Sequence, residues 1–307
     1  MDRVEFGYWP RAEKLIAGDI NIRPLDPGSD RELDDFDRDH VSGDWIYAPL
    51  NRTRQMFSGE IITQPYSRRV FPLPKTHELS HKHSEGQEHL KYLVWCLGFF
   101  VGMRLTTTEA GFLDGTPIRE RKLVDFVVGG KNGLADCLQL SERFWQYHKI
   151  KPSITGVMPA IINAYFMCQL PILLQFEQFI YAYTALDGCF ALWKQITTSP
   201  PRGRLPHSHR IKVICEEYGM DLPDWAAPNS KNHTKISELR NAAMHEAIYY
   251  EEPLGFAVFS LNNSSRNLTL EMTSLVSRFI IALLGRHDVS YVHSPVSARE
   301  MHGLKLA

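Results

Sequence analysis

Between residues 154 and 176 the chain carries no charged side chain, and this stretch constrains the fold more than any other. A run of that length either crosses a membrane or lies inside a protein core. It contains Pro159, Asn163, Gln169, Pro171 and Gln175, whose polar groups a lipid-facing helix would have to satisfy. A buried helix, or two helices broken near Pro171, is therefore expected, with no membrane contact. The next segment, 173–197, sets Phe176, Phe179, Tyr183, Phe190 and Trp193 at helical spacing, a stripe that reads as core rather than as a binding platform.

After Lys151-Pro152 the periodicity is helical almost throughout, over 154–170, 173–197, 210–218, 234–250 and 268–284. Two more amphipathic helices are expected upstream, at 85–105 and 134–147, joined through Gly111, Gly115, Gly129 and Gly130. Residues before about position 74 read as short extended segments (4–9, 20–24, 45–49 and 59–63) punctuated by Gly, Pro and Asp. The fold class expected is mainly α: a C-terminal helical bundle at 151–290, preceded by a helical pair at 85–150 and an irregular or β-rich region at 1–84, and followed by a tail at 291–307.

With 307 residues, 44% of them hydrophobic, the chain can bury a large core. Its 34 basic and 35 acidic residues leave a net charge of -1, so any nucleic-acid site must be a local patch. Cys96, Cys137, Cys168, Cys189 and Cys215 are scattered among apolar residues without a CxxC pair, the pattern of buried thiols in a reducing compartment. The opening Met1-Asp2-Arg3-Val4-Glu5 lacks the apolar core of a secretory signal, and a cytoplasmic location is expected. The acidic run 26–39 reads as a solvated loop, since no glycine stands at the defined turn position of a hard-cation loop.

Chemistry concentrates in Arg240-Asn241-Ala242-Ala243-Met244-His245. A permanent cation can hold phosphate oxygens, and an imidazole can move a proton to or from a ribose hydroxyl near neutral pH. Arg-x4-His alone is weak, because Arg143/His148, Arg202/His207 and Arg204/His209 repeat it. The last copy differs in its Asn and in its helical setting, with Ile236, Leu239, Ala243 and Ala247 on one stripe. At about 100° per residue Arg240 falls near the edge of that stripe, and Asn241 and His245 lie well off it. Asn241 and His245 are i, i+4 neighbours, so the amide can orient the ring. Arg202, Arg204, His207 and His209 fall in a Pro- and Gly-broken run read as a loop. With Arg210 and Lys212 they form a basic patch suited to an RNA backbone. Asp187 could fix Arg240 or an imidazole, or be a surface carboxylate.

A helical bundle whose penultimate long helix bears Arg-Asn-x3-His resembles the HEPN superfamily. Leu174-Gln175-Phe176-Glu177-Gln178-Phe179 leading to Ala185-Leu186-Asp187, with an apolar helix ending in a Gly-basic pair upstream (93–104), is similar to the branch typified by the ApeA-like antiphage proteins. The resemblance covers residues 154–286 and, more faintly, 85–149. It implies a metal-independent endoribonuclease of toxin or antiphage type, dimeric through the motif helix, with Arg240 and His245 as the catalytic pair and Asn241 in support. A toxin branch carries Tyr two residues after the His, where this chain has Ala247. The reaction implied is attack of a ribose 2'-hydroxyl on its own phosphate, leaving a 2',3'-cyclic phosphate, with no cofactor and no metal. Two other readings stand beside this one. The first is a non-catalytic HEPN-type scaffold for dimerisation or RNA binding. The second is a metal-binding regulator using His77, His81, His83 and His89, a cluster whose polar flanks otherwise read as a linker.

Overall fold

Five residues with the look of a polar linker, His77–His81, form an inner strand of the largest sheet, and all five are buried. The computed structural model describes residues 2–25, 41–48, 50–64, 70–71, 75–107, 112–113, 115–201, 203–241, 268–298 and 300–306. The chain divides into two units, Met1–Leu123 and Val124–Ala307.

The first unit holds strands β1 (Asp2–Phe6), β2 (Leu15–Ala17), β3 (Ile20–Pro24), β4 (Val41–Ser42), β5 (Trp45–Ile46), β6 (Asn51–Arg54), β7 (Ile61–Gln64), β8 (Val70–Phe71) and β9 (His77–His81). Helix α1 (Gln87–Val101) and strands β10 (Phe112–Leu113) and β11 (Thr116–Pro117) follow. An antiparallel sheet runs in the order β1-β9-β3-β2, with α1 packed against β1 and β9. Polar residues survive inside β9 because each is matched. Arg3 and Arg23, on the two flanking strands, hold Glu78 at 3.2 and 3.1 Å. The His77 ring stacks on Phe6 at 5.5 Å and lies 5.0 Å from Trp9. Its Nδ1 accepts from Thr76 Oγ1 at 2.8 Å and its Nε2 donates to the Arg11 carbonyl at 2.7 Å.

These contacts correct the linker reading and set His77 apart from the other histidines of the cluster. Four residues along a strand span about 13 Å, too far for His77 and His81 to share an ion. The Nδ1 atoms of His81 and His89 accept the backbone N–H groups of His83 and Glu85. Helix α1 ends in a Schellman arrangement at Gly102, whose φ of 65° suits glycine, with Met103 N–H returning to the Gly98 carbonyl.

The second unit contains β12 (Phe126–Val128), α2 (Gly133–His148), α3 (Pro152–Thr155), α4 (Val157–Met167), α5 (Gln175–Ile196), α6 (His207–Tyr218), α7 (Lys235–Asn241), α8 (Leu268–Ile281) and β13 (His302–Leu304). The uncharged stretch runs from the end of α3 through α4 to the start of α5, and a turn that includes Pro171 separates α4 from α5. They pack closely at Gly188, where a Cβ would stand 2.8 Å from Ile161 Cγ1. Helix α8 packs on both. Together with the π-helical residues Ala282–Arg286 it is long and apolar enough to cross a membrane, yet 83% of that window is buried within the protein. Arg278, fully buried on α8, donates to Asp125 and to the carbonyls of Ser274, Ser294 and Pro295, so its charge is paired and its donors are used. Strands β12 and β13 pair in parallel, with Phe126 opposite His302 and Val128 opposite Leu304.

The mainly α expectation is therefore corrected. The structure is 45% helical and 16% strand, a mixed content that does not fit a mainly α HEPN-type bundle. The strands are two to five residues long, too short for a sustained alternation, and β1 with β9 and β12 with β13 pair across large sequence separations.

Candidate functional site

Helix α7 is set in place by its own start. Ser237 N–H donates to Thr234 Oγ1 at 3.2 Å while Thr234 N–H donates to Ser237 Oγ at 2.9 Å, a reciprocal cap that satisfies two early helix donors. Just upstream, Asn229 Oδ1 accepts from the backbone of Lys231 and His233, folding 229–233 into a tight turn. Ile236 and Leu239 are buried, Arg240 is half-buried and Asn241 is exposed, the order that a 100° step around the helix gives. The Arg240 guanidinium lies over the Tyr183 ring at 6.0 Å and its Nη1 donates to Asn241 Oδ1 at 3.0 Å. The amide oxygen that sequence assigns to the imidazole is thus engaged by the arginine. His245, Ile248, Tyr249 and the rest of 242–250 lie outside the described residues, as does Arg202.

A second correction concerns the basic segment. His207 and His209 are not in a loop: α6 begins at His207, directly after Pro206. That placement turns His207 toward α5, where its Nδ1 lies 3.0 Å from Tyr183 Oη and 3.4 Å from Asp187 Oδ2. The two rings are nearly parallel, with centroids 6.3 Å apart. Arg210, one turn along α6, donates to Asp187 Oδ1 at 2.9 Å and stacks over Phe190. Asp187 therefore fixes Arg210 and an imidazole. Pairs this exposed contribute about 1 kcal/mol or less, so they orient side chains more than they hold the fold. The remaining basic residues scatter. His209 Nδ1 meets Ser208 Oγ at 3.1 Å, and Lys212 faces Glu216 at 3.6 Å.

These elements frame an open cleft of about 520 Å³. Arg204, His207 and Tyr183 line it from α5 and the start of α6, and Lys231, His233 and Asn241 from the other wall. Burial, outweighing Asp187 and assisted by Arg210, Arg240 and Arg204, holds the His207 imidazole below its ordinary pKa. The Tyr183 hydroxyl is pushed up to about 12, chiefly by burial and then by Asp187, so it stays a neutral donor or acceptor. Sequence reasoning missed Tyr183, Lys231 and His233. The polar run Asn229-Ser230-Lys231-Asn232-His233 ahead of the Thr234/Ser237 cap was the signal available for the last two.

A second cleft of about 490 Å³ is lined by Arg143, His148, Tyr218, Arg286 and His287. Among the described residues it shows no carboxylate-to-imidazole contact. Arg286 is held by Asp288 through two bonds of 2.8 and 3.1 Å, and His148, lowered mainly by burial, packs on Phe144.

No family model, curated protein or solved structure matches the chain.

Proposed function

We propose that this protein is a metal-independent endoribonuclease that cleaves single-stranded RNA in the cleft between α5, α6 and α7, using Arg240, Asn241 and His245. The observation that carries this reading is the convergence of Arg204, Lys231 and the motif helix on one cleft that also presents a half-buried imidazole. Cleavage within one ribose needs no metal, because the nucleophile sits next to the phosphorus; charge, orientation and proton transfer suffice. In this role Arg240 neutralises the pentavalent phosphorane, and Asn241, bonded to it, sets the angle of the guanidinium. The reading rests on the cleft and the motif, not on the bundle that the HEPN resemblance implied. The antiphage or toxin role, the cytoplasmic location and an unidentified antitoxin or sensor partner belong to that resemblance as proposals. So does a homodimer formed through the motif helix.

The test is turnover on single-stranded RNA. Removing an acid-base group costs about 10²- to 10⁴-fold, so His245→Ala is expected to abolish measurable cutting, and Arg240→Ala to lower kcat more than it raises KM. Variants that cut at the wild-type rate would overturn the assignment. Arg240→Ala and His245→Ala chains mixed together should recover part of the activity if each subunit lends the missing group.

A further inference from the structure

We propose that His207, which the motif does not contain, is a catalytic residue of this cleft: the general base that takes the 2'-hydroxyl proton of bound RNA through its Nε2, with Asp187 and Tyr183 as positioning residues. The inference rests on the RNA-cleavage reading above. Asp187 Oδ2, 3.4 Å from Nδ1, can only accept, and Tyr183 Oη at 3.0 Å can accept as well; in the tautomer we assign, the ring proton sits on Nδ1 and the Nε2 lone pair is left for the cleft. Tyr183 Oη at 3.0 Å and the parallel Tyr183 ring fix the tilt of the imidazole. Among the described residues Nε2 has no partner. Such a carboxylate-held imidazole is an arrangement suited to a base, and it sits beside the cations that would hold the phosphate.

The chemistry calls for two proton transfers. His207 Nε2 accepts the 2'-hydroxyl proton as O2' bonds to phosphorus. The P–O5' bond then breaks, and O5' takes a proton from the motif imidazole. The products are a 2',3'-cyclic phosphate and a 5'-hydroxyl, with the proton now on His207 and the motif imidazole neutral; exchange with water restores both. The charged and titratable groups around His207 are Asp187 and Tyr183 from α5, Arg204 and Arg210 from the α6 segment, and Arg240 from α7, with Lys231 and His233 across the cleft. Their balance, with partial burial, keeps the ring neutral and able to accept a proton at neutral pH.

The experiment follows cleavage of single-stranded RNA in chelator from about pH 5 to about pH 9 by wild type, His207→Ala, His207→Gln, Asp187→Asn and Tyr183→Phe. A second substrate carries sulfur at the 5'-bridging position, a leaving group that needs no acid. His207→Ala is expected to lower kcat about 10²- to 10⁴-fold on both substrates with RNA affinity unchanged, and to lose the acidic limb of the profile. His245→Ala should be rescued by sulfur. Asp187→Asn should move the acidic limb to lower pH, because the carboxylate raises the imidazole's pKa, while lowering the plateau. If His207→Ala does not fold, the Asp187→Asn profile and His207→Gln decide. Wild-type kcat in the His207 variants, a defect confined to KM, or an unmoved limb in Asp187→Asn overturns the proposal while leaving the nuclease intact. Wild-type protein that leaves RNA uncut removes the nuclease reading and this inference with it.

Discussion

His77 is kept neutral at the residue scale by where it sits: burial opposes its charge more than the Arg11 carbonyl favours it. Its folded pKa lies below the unfolded value of about 6.5, so the unfolded chain binds the proton more readily. Stability from this residue is present above that pH and is lost as the pH falls through the folded pKa. Thermal melts should therefore show acid destabilisation below about pH 6.5, and His77→Gln, which keeps a donor for Arg11, should reduce it. His148 and His207, also lowered, would retain their shares of the slope. An unchanged slope in His77→Gln would show that the ring already carries its proton in the fold. At this scale part of the site was legible in the residues. The helical step placed Arg240 at the edge of the buried stripe, where the structure has it half-buried. Tyr183 was hidden because only the end of its ring matters: the side chain is 92% covered like its stripe neighbours, while the hydroxyl reaches His207.

Elements were legible in proportion to their length. Helices α1, α2, α5 and α8 announce themselves by apolar periodicity over several turns. The start of α6 did not, because Pro206 opens the helix and the preceding Pro and Gly residues suggested that the loop ran on to His209. Correcting that error moves His207 from the role of a backbone contact to a place on a helix facing Asp187. The strand β9 was missed because a buried strand normally reads as apolar, and here Glu78 is neutralised by arginines on the strands either side. The packing of α4 on α5 offers a direct test of how the cleft is held. Gly188→Val puts branched carbon where a Cβ already meets Ile161 at 2.8 Å, so it should lower stability by about 1–3 kcal/mol in denaturant melts. Adding Ile161→Ala should restore part of the loss, being in contact with it. Full stability in Gly188→Val would mean that the helices can separate at this crossing without cost.

On the scale of the whole molecule, a near-zero net charge hides a local concentration of cations, which is why composition pointed away from nucleic acid while the cleft points toward it. Binding should then be strongly salt-dependent through a few phosphate contacts. The second cleft, with Arg143 and His148, makes an internal control: His148→Ala is expected to cut RNA as the wild type does, and a collapse of kcat there would put the chemistry on the wrong face. The most direct measurement is to incubate the full chain with end-labelled single-stranded RNA in excess EDTA and identify the termini produced. Metal-independent cleavage in the motif cleft predicts cutting that survives the chelator and leaves 2',3'-cyclic phosphate and 5'-hydroxyl ends. Intact RNA, or cutting that EDTA stops and that leaves 5'-phosphate ends, would contradict it.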